Sequence, residues 1–368
     1  MKHEYPCIYK KFKCIGGSCP DSCCIGWEVD VDEESYYYYL TVKGKIGERI
    51  RKTMVSRDGE TIFPLDKKGR CPFLNRKNLC DIIIGLGEDS LCTVCTEYPR
   101  YYEVAGAYEQ IDMSLSCPEA ARLFYADGER YEITFYDDNL ADDDLPAYRA
   151  RQRDNLINKR NAALSEIDGI DIDKCFDRLQ KAFRESDDIK ETEVKDFRVF
   201  SALERETEPV FRQLLKRRHH RPEDELVSAR LRDDKYMSVL EELETLDKRW
   251  TEIHAFIKEH ELDMDSMVAG FLSENKEEGQ KRIEWLLRTL KYFVYRYTIE
   301  AFFDKDINCE VLLIKSCMKL LIMMCAMKWY ISDGHFDRSD MEDTAHIFSR
   351  QIEHSEENLE ILKGRVTE

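Results

Sequence analysis

Cys14-Ile-Gly-Gly-Ser-Cys19-Pro-Asp-Ser-Cys23-Cys24-Ile-Gly-Trp27-Glu-Val-Asp30 places four thiols within eleven residues, then passes into alternating apolar and acidic side chains. Gly16 and Gly17 tolerate backbone angles that other residues resist, so this short loop can fold several sulfurs inward. From Ile25 to Asp32 the alternation has the period of a half-buried strand. The stretch therefore predicts a cysteine loop that leads into a strand.

The same chemistry recurs downstream. Cys71-Pro-Phe-Leu74 is followed by Cys80, then by Cys92-x2-Cys95 with Tyr98-Pro99-Arg100 close behind, and finally by Ser116-Cys117-Pro118. Of the 14 cysteines, ten stand at or before Cys117, a gradient that marks a unit of its own. The N-terminus, Met1 to Cys7, lacks the basic region and uninterrupted apolar run of a secretory signal, which predicts a cytoplasmic protein. Thiols stay reduced there, so clustered cysteines are metal ligands or redox groups before they are disulfides.

Thiolates are soft donors, and four around one centre suit zinc or an iron-sulfur cluster. A cation also makes the crowding tolerable, because it holds the thiols deprotonated and offsets their repulsion. The expected metal ligands come from Cys14, Cys19, Cys23, Cys24, Cys71, Cys80, Cys92, Cys95 and Cys117. Structural zinc sites commonly show two C-x2-C pairs, and only Cys92 and Cys95 form one, which favours a cluster over zinc. Which four sulfurs bind, and whether there is one centre or two, stays open. Cys23 and Cys24, being adjacent, are poor partners on one ion, so one of them faces a second centre, a substrate or nothing. Cys175, Cys309, Cys317 and Cys325 stand singly in apolar surroundings and read as core residues.

Beyond the cysteines, Glu33 to Leu40 reads as a short helix, Asp58-Gly59 and Lys68-Gly69 as turns, and Tyr131, Ile133 and Phe135 as a second strand. The acidic run from Asp137 to Asp144, closed by Pro146, reads as an exposed boundary loop. From Ala147 onward apolar residues recur three and four apart, as in Phe176-Leu179-Phe183, Val210-Leu214 and Ile283-Leu286-Leu287-Leu290. The expected fold is mainly α: an irregular α+β, cysteine-rich metal-binding region at 1–140 and a helical domain at 147–368. Val311 to Ile331 is strongly apolar, but Lys315, Lys319 and Lys328 argue for a buried amphipathic helix over a membrane span. The aromatic stripe Tyr292 to Tyr297 reads as core packing, with pocket lining as the alternative. The tail from Glu353 to Glu368 reads as fraying. His219, His220, His254 and His260 read as surface residues, and Lys216 to Arg221 as a solvated helix end. Lys plus Arg total 56 against 74 acidic residues, a net charge of -18 that disfavours nucleic acid and anionic membranes as partners.

The chain resembles the flagellin lysine-N-methylase family, within the CxxCxxCC group of cysteine-rich proteins described as zinc- or iron-chelating. The resemblance rests on Phe12-Lys-Cys14-Ile-Gly, Cys19, Cys23-Cys24-x-Gly26-Trp27, Cys71-Pro-Phe-Leu74, Leu79-Cys80, Cys92-x2-Cys95-x2-Tyr98-Pro99-Arg100 and Leu115-Ser-Cys117-Pro-Glu-Ala-Ala-Arg122. It covers about the first 125 residues well, and the helical remainder through general character and length. It implies methyl transfer from S-adenosylmethionine to lysine ε-amines of flagellin, with a 4Fe-4S cluster on the N-terminal cysteines and zinc as the alternative metal. The chain carries neither the Gly-x-Gly-x-Gly signature of the common methyltransferase fold nor the C-x3-C-x2-C loop of radical enzymes. The implied cofactor site is therefore unconventional.

Chemistry narrows its requirements. A sulfonium favours aromatic faces and carboxylates, which makes Trp27, Glu28, Asp30 and Tyr98 candidate cofactor-binding residues. Arg100 and Arg122 directly follow cysteine motifs and can donate to cluster sulfurs. No catalytic residue is assignable. The rival readings are a non-catalytic metal-storing or redox protein, and a zinc-stabilised interaction module that unfolds on chelation.

Overall fold

The structure is a computed structural model that describes residues 1–57, 59–139, 143–167, 234–261, 263–272 and 277–364. It is mainly α-helical with two small sheets. Strand β1 (Lys2–Pro6) opens a four-stranded sheet in which it runs parallel to β6 (Tyr108–Met113) and antiparallel to β7 (Ile133–Asp137). Strand β5 (Arg100–Ala105) completes it as the hairpin partner of β6, in the order β5-β6-β1-β7. Parallel neighbours cannot be joined by a tight turn. The crossover between β1 and the β5-β6 hairpin is the cysteine-rich segment itself.

That segment builds a second, three-stranded sheet of order β2-β4-β3, from β2 (Val29–Asp30), β3 (Val55–Arg57) and β4 (Glu60–Phe63). Helices α1 (Glu33–Thr41), α2 (Gly44–Thr53), α3 (Asp81–Leu86) and α4 (Thr93–Glu97) surround it. Asp32 caps α1 by accepting from the Ser35 amide at 2.9 Å. Val29, Val31, Tyr39, Ile50, Phe63, Phe73, Cys71 and Cys92 form a small core of their own.

A larger core holds the helical body together with the four-stranded sheet. Its helices are α5 (Pro118–Phe124), α6 (Ala147–Ile167), α7 (Asp234–Glu242), α8 (Lys248–Glu259), α9 (Met264–Phe271), α10 (Glu277–Thr298), α11 (Ala301–Asp304), α12 (Ile307–Ile331), α13 (Arg338–Ile352) and α14 (Glu356–Leu362). Helix α12 is the hub, touching α9, α10, α13 and α14, while α5 packs on α13 and α6 on α10. Two buried ionic groups pin sheet to helices. Arg160 of α6 pairs with Glu4 of β1, and Arg296 of α10 reaches Asp112 of β6 at 3.2 Å and Glu353 at 3.0 Å.

Several expectations change in the structure. The predicted strand at 25–32 contracts to two residues, because Ile25 makes only an isolated bridge to Arg70. Phe135 lies in β7 but is 56% exposed, as is Tyr136 on the opposite face, so neither face of the strand is covered there. Helix α12 is not amphipathic: every residue from Cys309 to Ala326 is buried, including Glu310, Lys315 and Lys319, since other helices enclose it. Among the described residues no helix is long and apolar enough to cross a membrane. The tail does not fray at 356–362, where α14 buries Asn358 and Leu362. His254 and His260 stack on Trp250 and Phe256, at 5.8 and 4.0 Å. The aromatic stripe lies in the large core, with Tyr292 and Tyr297 donating to Glu353. Cys309, Cys317 and Cys325 are buried as expected. Cys175, the patterns at 176–183 and 210–214, His219, His220 and the basic block at 216–221 lie outside the described residues.

Candidate metal centre

All nine cysteines expected to bind metal line one cavity of about 710 Å³: Cys14, Cys19, Cys23, Cys24, Cys71, Cys80, Cys92, Cys95 and Cys117. Each local structure has an identifiable cause. The loop at 14–24 closes over a tight turn at Gly16–Ser18, where a Cβ on Gly17 would meet the Lys77 carbonyl oxygen at 2.7 Å. The Cys71 amide donates to the Cys24 carbonyl at 2.8 Å, and the Gly26 amide to the Gly69 carbonyl at 2.9 Å, so loop and second motif are stitched by backbone. A Leu74–Cys80 bridge turns the chain back on itself, and Cys80, Cys92 and Cys117 then sit at the N-caps of α3, α4 and α5.

The described cysteines form no disulfide, and among the described residues no three cysteine, histidine or carboxylate side chains already gather around a common point. The donor set nonetheless fits a thiophilic metal. The Cys92 and Cys95 sulfurs stand 3.6 Å apart. Two thiolates on one tetrahedral ion, with bonds of about 2.3 Å, stand about 3.8 Å apart. Burial keeps most of these thiols protonated in the absence of a metal. Burial pushes Cys71 up to about 12 and Cys117 up to about 11, and raises Cys19 and Cys80 as well. Within the adjacent pair, the hydrogen bond from Cys23 holds Cys24 down to about 7 while Cys23 is raised. Cys92 is lowered and Cys95 raised by the same kind of bond. Buried thiols that resist deprotonation alone lose their protons to solvent when a metal binds the sulfurs.

The cysteine loop is anchored to the helical body through Asp21. Its carboxylate accepts from Arg249 Nη2 at 2.8 Å, His346 Nε2 at 2.9 Å and Arg350 Nη1 at 3.1 Å. The His346 bond, followed by the charges of Arg350 and Arg249, holds the Asp21 carboxyl down at about 2. Beside it, the Arg350 guanidinium lies 4.6 Å from the Trp27 ring centre, and His354 stacks on Trp27 at 5.4 Å. His354 Nε2 lies 2.5 Å from Ser116 Oγ, which in turn lies 3.0 Å from the Tyr98 hydroxyl. Burial, then the charges of Arg296 and Arg350, lower His354 to about 4, so its imidazole is neutral at ordinary pH.

Four of the six residues expected around a cofactor or cluster line the cavity: Trp27, Glu28, Tyr98 and Arg100. Arg100 stacks over Tyr9 and Phe12, at 5.6 and 5.3 Å from the ring centres. Asp30 and Arg122 do not line it. Val29 and Val31 take the inward positions of the strand, so period-2 alternation turns Asp30 to solvent. Arg122 is instead held on α5 by a two-pronged pair with Glu119, at 2.7 Å for both contacts. Glu28 pairs with Arg57 at 2.9 Å. Sequence reasoning missed Asp21, His346, Arg350 and His354. Asp21 and His346 are 325 positions apart, and no local pattern carries such a pairing.

Comparison with known proteins adds an independent line. A family model described as the FliB lysine N-methylase C-terminal domain matches residues 154–368. The lysine-N-methylase of Salmonella typhimurium strain LT2 is 30% identical over 136 residues, covering 35% of this chain and 34% of that protein. The lysine-N-methylase of Salmonella choleraesuis strain SC-B67 matches with the same identity and coverage. The flagellar biosynthetic protein FliU of Salmonella muenchen is 30% identical over 121 residues, 31% of this chain and 71% of that protein. The matched stretch thus spans about a third of the length of the two lysine-N-methylases. No solved structure matches the chain.

Proposed function

The chain belongs to the FliB lysine N-methylase family, and on that premise we propose that it transfers methyl groups from S-adenosylmethionine to lysine ε-amines of flagellin. The observation that carries the proposal is the meeting, in one cavity, of the nine cysteines with Trp27, Tyr98 and the carboxylates of Asp21, Glu28 and Glu119. We read the cysteines as the ligands of a 4Fe-4S cluster, which when bound supplies one-electron transfer and Lewis-acidic iron.

The chain's own side chains suit the remaining requirements. A free lysine has a pKa near 10.4 and is a nucleophile only when neutral. A mouth lined by Ile15, Leu79, Ile83, Ile84 and Val94 strips water from an incoming ammonium, and desolvation lowers its pKa. Tyr98 offers an aromatic face to a sulfonium, the cationic centre of the methyl donor, whereas Asp21, Glu28 and Glu119 are held by arginines. Trp27 is already engaged by Arg350 and His354, so its part is to hold the cavity wall in place. Names of relatives that refer to flagellar biosynthesis and lysine methylation favour a flagellar protein as the methyl acceptor.

The test is incubation of anaerobically purified protein with flagellin and S-adenosylmethionine, followed by mass spectrometry of flagellin lysines. Methylated lysines that depend on both enzyme and methyl donor are expected. Metal-loaded protein that binds no S-adenosylmethionine and leaves flagellin unmodified would overturn the proposal in favour of a non-catalytic redox or metal-storing role.

A further inference from the structure

We propose that the nine cysteines hold two separate centres: a mononuclear zinc ion on Cys71, Cys80, Cys92 and Cys95, and the iron-sulfur cluster on Cys14, Cys19, Cys23 and Cys117, with Cys24 standing between them. This rests on the metal-binding reading of the cavity and is independent of methyl transfer.

The first argument is placement. Cys71 and Cys92 are members of the small core, with Cys80 and Cys95 packed against it, whereas Cys117 belongs to the large core at the N-cap of α5. Cys71, Cys80, Cys92 and Cys95 therefore belong with the small unit and Cys117 with the large one, and all five line the cavity. Cys24 joins the small unit by backbone, accepting from the Cys71 amide at 2.8 Å, while its neighbour Cys23 lies in the loop that Asp21 ties to the helical body.

The second argument is nuclearity. Each iron of a four-iron cluster takes one protein thiolate, so its ligands stand farther apart than two thiolates on a single ion. The 3.6 Å separation of Cys92 and Cys95 matches the single ion. Structural zinc sites are four-coordinate with buried ligands, and Cys71 and Cys92 are 8% and 1% exposed. A core as small as the one around Tyr39 and Phe63 also lies in the size range where domains need a metal staple. The four thiols do not gather around one point, and closing the site requires rotation of their side chains between staggered positions.

The test is the iron, sulfide and zinc content of the full chain purified without oxygen, alongside Cys23→Ser and Cys92→Ser. The unsubstituted protein should carry iron and sulfide in equal amounts together with one zinc per chain. Cys23→Ser should lose the iron and keep the zinc, and Cys92→Ser should do the reverse. Zinc-free protein with full iron would overturn the partition while leaving a single cluster standing, and loss of both metals together in a variant that remains folded would overturn the partition as well. Protein with neither metal would overturn the metal-binding reading as well. Should Cys92→Ser fail to fold, zinc-edge X-ray absorption on the unsubstituted protein decides: four sulfur neighbours at about 2.3 Å support the site, and nitrogen or oxygen neighbours overturn it.

Discussion

Asp21 carries more of the structure than its place in a polar loop implies. Three cationic or hydrogen-bonding partners from α8 and α13 converge on one carboxylate, which lies between Cys19 and Cys23. Asp21→Asn keeps the shape and removes the charge, leaving Arg350 and His346 under-paired; a cost of about 2 kcal/mol is expected, scaled down from fully buried pairs because Asp21 remains 27% exposed. Urea midpoints will show it, together with reduced metal content, and an unchanged midpoint would remove Asp21 as the anchor. His354 gives a pH dependence with a definite sign. Its pKa falls from 6.5 to about 4 on folding, so between those values the unfolded chain holds a proton that the folded chain does not. Stability from this group is full above pH 6.5 and is lost as pH falls toward 4, by about 3 kcal/mol. The loss should be visibly smaller in His354→Gln, and equal acid sensitivity of the two proteins would contradict the assignment. At this scale the thiols were legible, because cysteine clustering needs no partner to be noticed. The anchoring set was not, because its members are ordinary polar residues joined only by the fold.

Among the elements, α12 shows why hydropathy alone misjudges a helix. Lys315 and Lys319 look like a polar face in sequence, yet α9, α10, α13 and α14 close around the helix and bury them. Leu321 is fully buried on this hub, so Leu321→Ala should cost about 2–5 kcal/mol through lost contacts and a residual cavity. Thermal unfolding will measure it, and a shift within the range of surface substitutions would mean that α12 is not the hub. Helix α10 was readable from spacing, because Ile283, Leu286, Leu287 and Leu290 recur at the helical period and pack in or against the large core, whereas the helix expected at 33–40 shows no such period and buries only Tyr39. Strand β2 was over-read, since alternation persists for eight residues while pairing with β4 lasts for two.

For the molecule as a whole, the decisive feature is that a cysteine-rich crossover is built between two neighbouring strands of a sheet that belongs to the helical core. The sequence shows a boundary in cysteine density, but not that β1, β5, β6 and β7 share the core of the helices, because parallel pairing between residues 106 positions apart has no local signature. The small core holds few apolar side chains, and metal removal should loosen it before the rest. Hydrogen exchange after chelation is expected to rise across residues 14–98 and to spare α10 and α12; uniform protection would show that the thiols contribute nothing to folding. The central claim is that the nine-cysteine cavity is a metal centre, and its most direct test is the absorption, iron and sulfide content of protein purified without oxygen. Brown protein with iron and sulfide in equal amounts, bleaching on reduction, is predicted; colourless protein without iron would contradict the cluster on which the proposed chemistry rests.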